Sequence, residues 1–531
     1  MKQYRQTDLK NLRHRPATDF VQSMEAFLSC LPDKQYIYTS DETIADFREN
    51  SFHKQCTGLF KAVLASAAVL LFTVGMTLLL RSHIFGPKEI IVQKQSSSIF
   101  ETASGPEEVQ LILPLDRIDI HVEPDLLWNN ETGILAEGEQ IVKSSSLPYK
   151  NSTYRKMRKQ DKRAEGEIEY RSAQTGLVFR QRISMQLDED YYSMDMPQKG
   201  LMVDAMDGWF NYPLFDDRQA AAYASILLRN AGNDCLFTRV ADGVQSRLID
   251  SSSDVDLLTL AWKPVNVYLN NEYWGIYNMR ESLDAYTVCR HEGIDWDTAG
   301  SITILRLNGT SIQGSGDAYR ELISVICRSD PANQDTDRAY LEQQIDIDSY
   351  LEWLAVKIYF GDTDAASTFV CYQIPGEKWK CLAQDFDYGL FHADYDAVYD
   401  LLKESGMGPV NVDNRLFRKI LEVDDYRQRF LQKIGRLYQT FTTEEMQQAL
   451  DECVALIEPD MVDHLARWAP CNENTLNPDA PTDPAEAWQY WKKRIQRMRE
   501  GTMVNRPRYV YEQIQSFFDL TDSEMKMFFG N

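Results

Sequence analysis

Two pairs of aspartates set the chemistry open to this chain. Asp362 and Asp364 stand two residues apart in GDTDAAST, and Asp385 and Asp387 repeat the spacing in QDFDYG. Each pair ends an apolar run. The run before the second, WKCLA, reads as a short strand that delivers Asp385 to a sheet edge, with Gly389 letting the chain turn sharply. Carboxylates so placed suit a hard cation, because magnesium takes oxygen donors and leaves room for phosphate oxygens. One Asp-x-Asp alone is better explained by capping of a helix or turn. Two of them, 23 residues apart and flanking one hairpin, point instead to a shared site. A pair of acids also serves glycoside hydrolysis, where their separation decides the mechanism, and sequence does not give that distance.

Other chemistries lack their residues. There is no GxxxxGK[ST], no GxSxG and no HExxH, and the seven histidines are scattered. Nine cysteines without a CxxC supply neither a zinc site nor a disulfide scaffold. With 80 Asp+Glu against 56 Lys+Arg, the formal charge is -24, which argues against nucleic acid as a partner. Basic proteins, or anions carried in with a metal, fit better.

The elements that must position these acids change character along the chain. Residues 109–138 alternate apolar and polar positions and then carry Asn-Asn and Thr-Gly turn signals. GEIEYRS, GLVFRQRISMQL and PVNVYLNNEYWGIYNMRE read as strands, the last a hairpin in which Asn270-Asn271 takes the positive φ angles of a tight turn. From Asp346 onward IDSYLEWLAVKIYF, RLFRKILEVDDYRQRFLQKIGRLY and EEMQQALDECVALIEPDMVDHLARW repeat apolar residues at helical spacing. A cleft between a strand-rich half, 108–345, and a helix-rich half, 346–470, follows, with a helical extension over 471–531.

Residues 62–80 hold no charge, and at helical rise they extend about 28 Å, one hydrocarbon core. The expectation is a single-pass membrane protein: residues 1–57 a cytoplasmic arm, 58–81 a transmembrane signal anchor, 82–107 a Ser/Gly/Glu-rich stalk. The large acidic C-terminal part would then be extracytoplasmic. Residues 143–163 form a strongly basic run, either a solvated loop or a landing site for an acidic partner.

From about Leu127 to Trp468 the chain resembles the CotH kinase family, named for a spore-coat protein kinase. LWNNETGILAEG, WFNYPLF, SILLRNAGND and VNVYLNNEYWGIYNMRE are similar to its signatures in order, as are GDTDAAS, WKCLAQDFDYGLF, RLFRKILEVDDYRQRFLQKI and HLARW. The resemblance implies an α+β, atypical protein-kinase-like two-lobed fold, here behind a single N-terminal transmembrane helix. It also implies transfer of the ATP γ-phosphate to Ser/Thr hydroxyls of a protein at a cell surface or envelope, with Mg2+ bridging the phosphates; the chain's acidity would suit a basic substrate protein. Carried over, Asp364 would orient or deprotonate the hydroxyl and Asp385 would hold the metal, with Asp387 as second ligand. Lys199 in PQK would contact phosphate, and Glu281 would partner a cleft cation or the nucleotide. Arg229 would serve on the cofactor side, bracing the cleft with Asn230 and Asp234.

Two departures stand against that pattern. Where the family has a glycine-rich loop before Pro-Gln-Lys, this chain has LDEDYYSMDM, whose Asp188, Glu189 and Asp190 oppose a triphosphate. After Asp364, where the family often has asparagine, stand Ser367, Thr368 and Phe369. A degenerate kinase acting as a binding or scaffolding protein is therefore the alternative, and an acid-pair glycosidase a further one.

Overall fold

The computed structural model describes residues 115–136, 162–188, 196–216, 218, 222–306, 309–408, 411–472 and 479–530. Seven strands close a barrel in the order β1-β2-β3-β4-β5-β8-β7. They are β1 (Asp116–Val122), β2 (Ala164–Arg171), β3 (Val178–Leu187), β4 (Leu201–Ala205), β5 (Ser225–Arg229), β7 (Trp262–Leu269) and β8 (Glu272–Glu281). Neighbours run antiparallel except β1 and β7, whose parallel pairing shuts the barrel. Alternation fills the interior: Ile118, Ile120, Ile168, Ile183, Val203, Leu228 and Val267 are all buried. The β7–β8 turn is made by Asn270 and Asn271, both at positive φ (50° and 67°), as the sequence indicates.

A second, five-stranded sheet runs β10-β9-β11-β12-β6. It uses β6 (Leu258–Thr259), β9 (Thr303–Arg306), β10 (Thr310–Gln313), β11 (Val370–Gln373) and β12 (Lys380–Ala383). β11 and β12 form the hairpin between the two acid pairs, and it leans on the helix Ile347–Phe360. That helix is capped by Asp346, whose side chain accepts from Ser349 N–H, and ends on Gly361 in the left-handed region at φ 61°. Nearly every side chain between is buried, so the helix is the axis of the largest core.

Its C-terminal carbonyls would be orphaned in that core. Arg506, itself buried, supplies donors: its guanidinium bonds the carbonyls of Ile358 (2.6 Å), Tyr359 (2.9 Å), Ala393 (2.9 Å) and Tyr395 (2.7 Å). A positive charge there also interacts favourably with the negative end of the helix dipole. Burial pulls this guanidinium down to about 10. Arg506 lies within the helix Met503–Phe518, so the C-terminal helices Pro484–Gln496 and Met503–Phe518 belong to the main core, where Trp491, Met503, Val510 and Ile514 are buried.

The membrane expectation is corrected. Among the described residues no helix is long and apolar enough to cross a membrane. The two nearest cases fail for opposite reasons. Ile347–Phe360 is apolar, but its 14 residues reach only about 21 Å. Thr443–Trp468 has 26 residues but carries acids along its length and Pro459 inside. The fold is α+β with a barrel subdomain, without support for a transmembrane helix, a membrane partner or a single-pass, extracytoplasmic placement. Residues 58–81, on which that expectation rests, lie outside the described residues, as do the arm, the stalk and nearly all of the basic run.

Candidate functional site

Two short loops make the site, and one buried lysine joins them. After Gly361, the Asp362 N–H bonds back to Lys357 O, which turns the Asp362 side chain toward Lys357 Nζ at 2.6 Å. Both side chains are fully buried. The same ammonium donates to the carbonyls of Gln384 (2.8 Å) and Asp385 (3.3 Å) and lies 4.0 Å above the Phe386 ring. Lys357 therefore ties the helix end, the first acid loop and the loop after β12 together. Leu390 N–H to Phe360 O, at 2.8 Å, closes the far side.

Asp364 sits on the open side of this knot. Asp362 Oδ1 accepts its N–H at 2.9 Å, fixing the backbone, while the residue itself is only half-buried. Burial, then the charges of Asp362 and Asp385, push that carboxyl up to about 7 despite the Ser367 hydroxyl. Asp364 and Asp385 thus share an electrostatic environment. Thr368, one of the residues following Asp364 where the family often has asparagine, is buried, with its hydroxyl 3.3 Å from Lys357 Nζ.

Arg229, the last residue of β5, reaches the second pair. Its Nη2 lies 2.6 Å from Asp385 Oδ1 and 2.9 Å from Asp387 Oδ2, and Nη1 lies 3.5 Å from Asp242. Asp387 is buried and doubly held, since Asn233 donates to it from N–H (2.7 Å) and Nδ2 (3.3 Å). Gly232 permits this approach; a Cβ there would stand 2.2 Å from Asp387 Oδ2. Asp385 is different. It adopts φ 56°, a strained value for a non-glycine residue, its side chain is 24% exposed, and its Oδ1 has Arg229's charge nearby but no aligned hydrogen bond.

The helix Ala241–Ser251 fixes the residue between them. Asp242 accepts the Phe386 N–H at 3.1 Å and Gln245 donates to Phe386 O at 2.8 Å. Gly389 serves this contact rather than a positive-φ turn: a Cβ on it would lie 1.9 Å from Gln245 Oε1. Asp242 is in turn paired with the buried Arg280.

The remaining expected residues divide. Lys199 is buried beside this assembly: its neighbour Gln198 accepts from Asn230 Nδ2 at 2.6 Å, and its own carbonyl accepts from the Tyr277 hydroxyl at 2.8 Å. Asp234 is a brace, accepting from Thr238 N–H, the Thr238 hydroxyl and Ala241 N–H. Glu281 is not brought to the aspartates. It is fully buried in a cluster of its own, with Ala261 N–H (2.9 Å), Arg290 (2.9 Å), His291 (3.0 Å) and Arg218 (3.4 Å). Of the acidic loop, Asp188 is buried with its N–H on Gly200 O, and Glu189 and Asp190 lie outside the described residues. Sequence reasoning passed over Lys357, Asn233, Asp242 and Gln245. Only Lys357 carried a signal, as the one cation in the largely apolar helical run IDSYLEWLAVKIYF.

Among the described residues, no three His, Cys, Asp or Glu side chains form a metal cluster. Magnesium needs fewer protein ligands than that, since it keeps waters and takes substrate phosphates. Asp385, partly exposed although its Oδ1 lies 2.6 Å from Arg229 Nη2, fits such a role; Asp387, buried and also clamped by Asn233, fits it less well.

An α+β domain with paired aspartates held by a buried lysine and arginine is what fold and site define. The chain belongs to the CotH kinase protein family, whose pattern it matches over residues 190–510. That span is more than half of the 531 residues and contains both acid pairs, Lys199, Arg229 and Glu281, while β1, β2 and β3 precede it. None of the curated proteins compared with the chain matches it.

Proposed function

We propose that the chain is a phosphotransferase that moves the γ-phosphoryl group of ATP to a Ser or Thr hydroxyl of a protein. The observation that carries the reading is the convergence of Asp364 and Asp385, from opposite ends of one hairpin, onto a knot that Lys357 and Arg229 hold rigid. Asp385 is the residue to hold magnesium, which when bound neutralises phosphate charge. Asp364 orients the hydroxyl and takes its proton. Arg229 fixes the carboxylate of Asp385, and Lys199 lies on the neighbouring loop as the cation for a phosphate.

One observation favours the second reading, a kinase-like protein without turnover: Arg229 contacts both Asp385 and Asp387, so a protein cation already serves the pair. Thermal unfolding separates the two. A rise in melting temperature with magnesium and ATP together, lost in Asp385→Asn, supports phosphoryl transfer, and no rise supports the binding protein. Labelled ATP with candidate protein substrates then tests transfer itself. Asp364→Asn should keep the ATP-induced rise while losing transfer by about a hundredfold or more.

A further inference from the structure

Residues 491–508 (WKKRIQRMREGTMVNRPR) carry seven Lys or Arg and one acid, in a chain of net charge -24. Several are accounted for within the fold. Lys492 pairs with Glu458, Arg499 with Asp451 and Arg508 with Glu512, and Arg506 caps the central helix. Arg494 and Arg497 are not: among the described residues neither has a carboxylate within ion-pair distance, and both line one small pocket with Phe237 and Phe391.

The pocket holds Arg494 by its face. Its Cζ lies 4.4 Å from the Phe237 ring centre, 5.5 Å from Phe391 and 6.0 Å from Tyr490, and the two phenyl rings meet edge to face at 4.9 Å. Aromatic faces stabilise a guanidinium without using its N–H groups, which leaves its donor edge for an acceptor. The acid in the pocket wall does not supply one, because Asp234 uses its oxygens on Thr238 and Ala241. His392 adds a further nitrogen under the influence of both arginines. At Arg497 the helix widens to a π-turn over Arg497–Thr502, a geometry frequent at functional sites.

The pocket's walls are also the site's loops. Phe391 and Leu390 continue the loop of Asp385 and Asp387, and Phe237 and Asp234 continue the loop whose Asn233 holds Asp387. Yet the carboxylates acting most strongly on Arg494 are Asp234 and Asp479, not the four site aspartates. A group bound at Arg494 is therefore next to the reacting centre without being part of it.

We propose that Arg494 and Arg497 form an oxyanion site that takes an acidic or phosphorylated residue of the protein substrate, beside its acceptor hydroxyl. Calling that peptide a substrate rests on the transfer reading above; the binding itself does not. The site also revises the expectation from net charge, since overall charge favours basic proteins while this pocket selects for a local negative group.

The test uses the full chain without ATP. Binding of a fluorescent peptide with one phosphoserine is followed by anisotropy, against the same peptide with that residue replaced by alanine or by lysine. Expected are binding of the phosphopeptide, at least tenfold weaker binding of the other two, competition by inorganic phosphate, and at least a tenfold loss in Arg494→Gln and in Arg497→Gln. Arg497 is exposed, so its variant keeps the fold even where Arg494→Gln does not. Arg508→Gln, which removes the same charge elsewhere, should bind as the parent does. Asp385→Asn should also bind the peptide normally, so a failure of the transfer reading leaves this result standing. Equal binding of the three peptides, or unchanged binding in Arg497→Gln, overturns the proposal. Displacement of the peptide by magnesium and ATP at concentrations where inorganic phosphate has no effect would assign the pocket to the nucleotide and overturn it as well.

Discussion

In the loop after the helix Ile347–Phe360, Asp362 is buried against Lys357, while Asp364 stays partly open. In the loop after β12 the order reverses: Asp385 is partly open and Asp387 is buried against Arg229 and Asn233. Each Asp-x-Asp pair thus has one acid that holds structure and one that faces outward. A buried carboxylate survives only with a dedicated charge and full hydrogen bonding. An acid meant for a ligand must keep part of its carboxylate open, and Asp385, with 24% of its side chain exposed, does. The spacing of two supports this division, because neighbours two apart in a tight turn can be sent to different surroundings by one fixed peptide. Phe386 is that peptide in the second loop, gripped by Asp242 and Gln245.

The sharpest way to break this comparison is to remove the cation beneath the first pair. Lys357→Met leaves Asp362 buried without its partner and frees two carbonyls, so a loss of about 3–5 kcal/mol in unfolding free energy is expected from denaturant titration. Adding Asp362→Leu to it should restore part of that loss, since the orphaned charge goes too.

Glu281 extends the comparison to a third buried acid with cations around it. Burial alone would raise its carboxyl, but the hydrogen bond from His291 and the charges of His291 and Arg290 outweigh it and hold the group at about 2, below its ordinary 4.5. A folded value below the unfolded one stabilises at pH above about 4.5, and that stabilisation is lost as pH falls toward 2. Glu281→Gln should therefore cost about 3 kcal/mol at neutral pH, with the gap to the parent closing over that acidic window.

A smaller effect tests the grip on Phe386. Gly389→Ala drives a Cβ into Gln245, at an expected cost of about 1–3 kcal/mol, and Gln245→Ala in the same chain should relieve much of it. If Gly389→Ala is neutral, the peptide between the two acids is not held as described.

What was legible in the sequence was local. The Asn270-Asn271 turn, the strands on either side of it, the helix Ile347–Phe360 and the two acid pairs all follow from residue type and spacing within a few positions. Barrel closure was not legible, because it depends on β1 meeting β7 across about 150 residues, and parallel pairing leaves no turn signature. The site's cations show the same limit. Arg229 was expected at the cleft through resemblance, but its contact with both Asp385 and Asp387 required the fold. Glu281 was expected there too and belongs to a separate cluster, since a glutamate at the end of a strand reads the same whichever arginines the fold supplies. The basic stretch around Arg494 escaped notice because the whole chain is so acidic.

The most direct test is the unfolding free energy of four single variants measured side by side: Asp362→Asn, Asp364→Asn, Asp385→Asn and Asp387→Asn. It needs no knowledge of the substrate. Asp362→Asn should lose about 3 kcal/mol or more, because it leaves the buried Lys357 without a carboxylate. Asp387→Asn should lose about 1–3 kcal/mol, because Arg229 keeps Asp385 and Asp242 but the buried Asn233 donors lose their charged acceptor. Asp385→Asn should stay within about 1 kcal/mol of the parent, as changes at partly open acids usually do. Asp364→Asn should match or exceed the parent at pH 7 and above, because burial raises this carboxyl to about 7 in the fold and its ionised form works against folding. Equal losses at all four positions, or larger losses at Asp364 and Asp385, would contradict the division into structural and working acids.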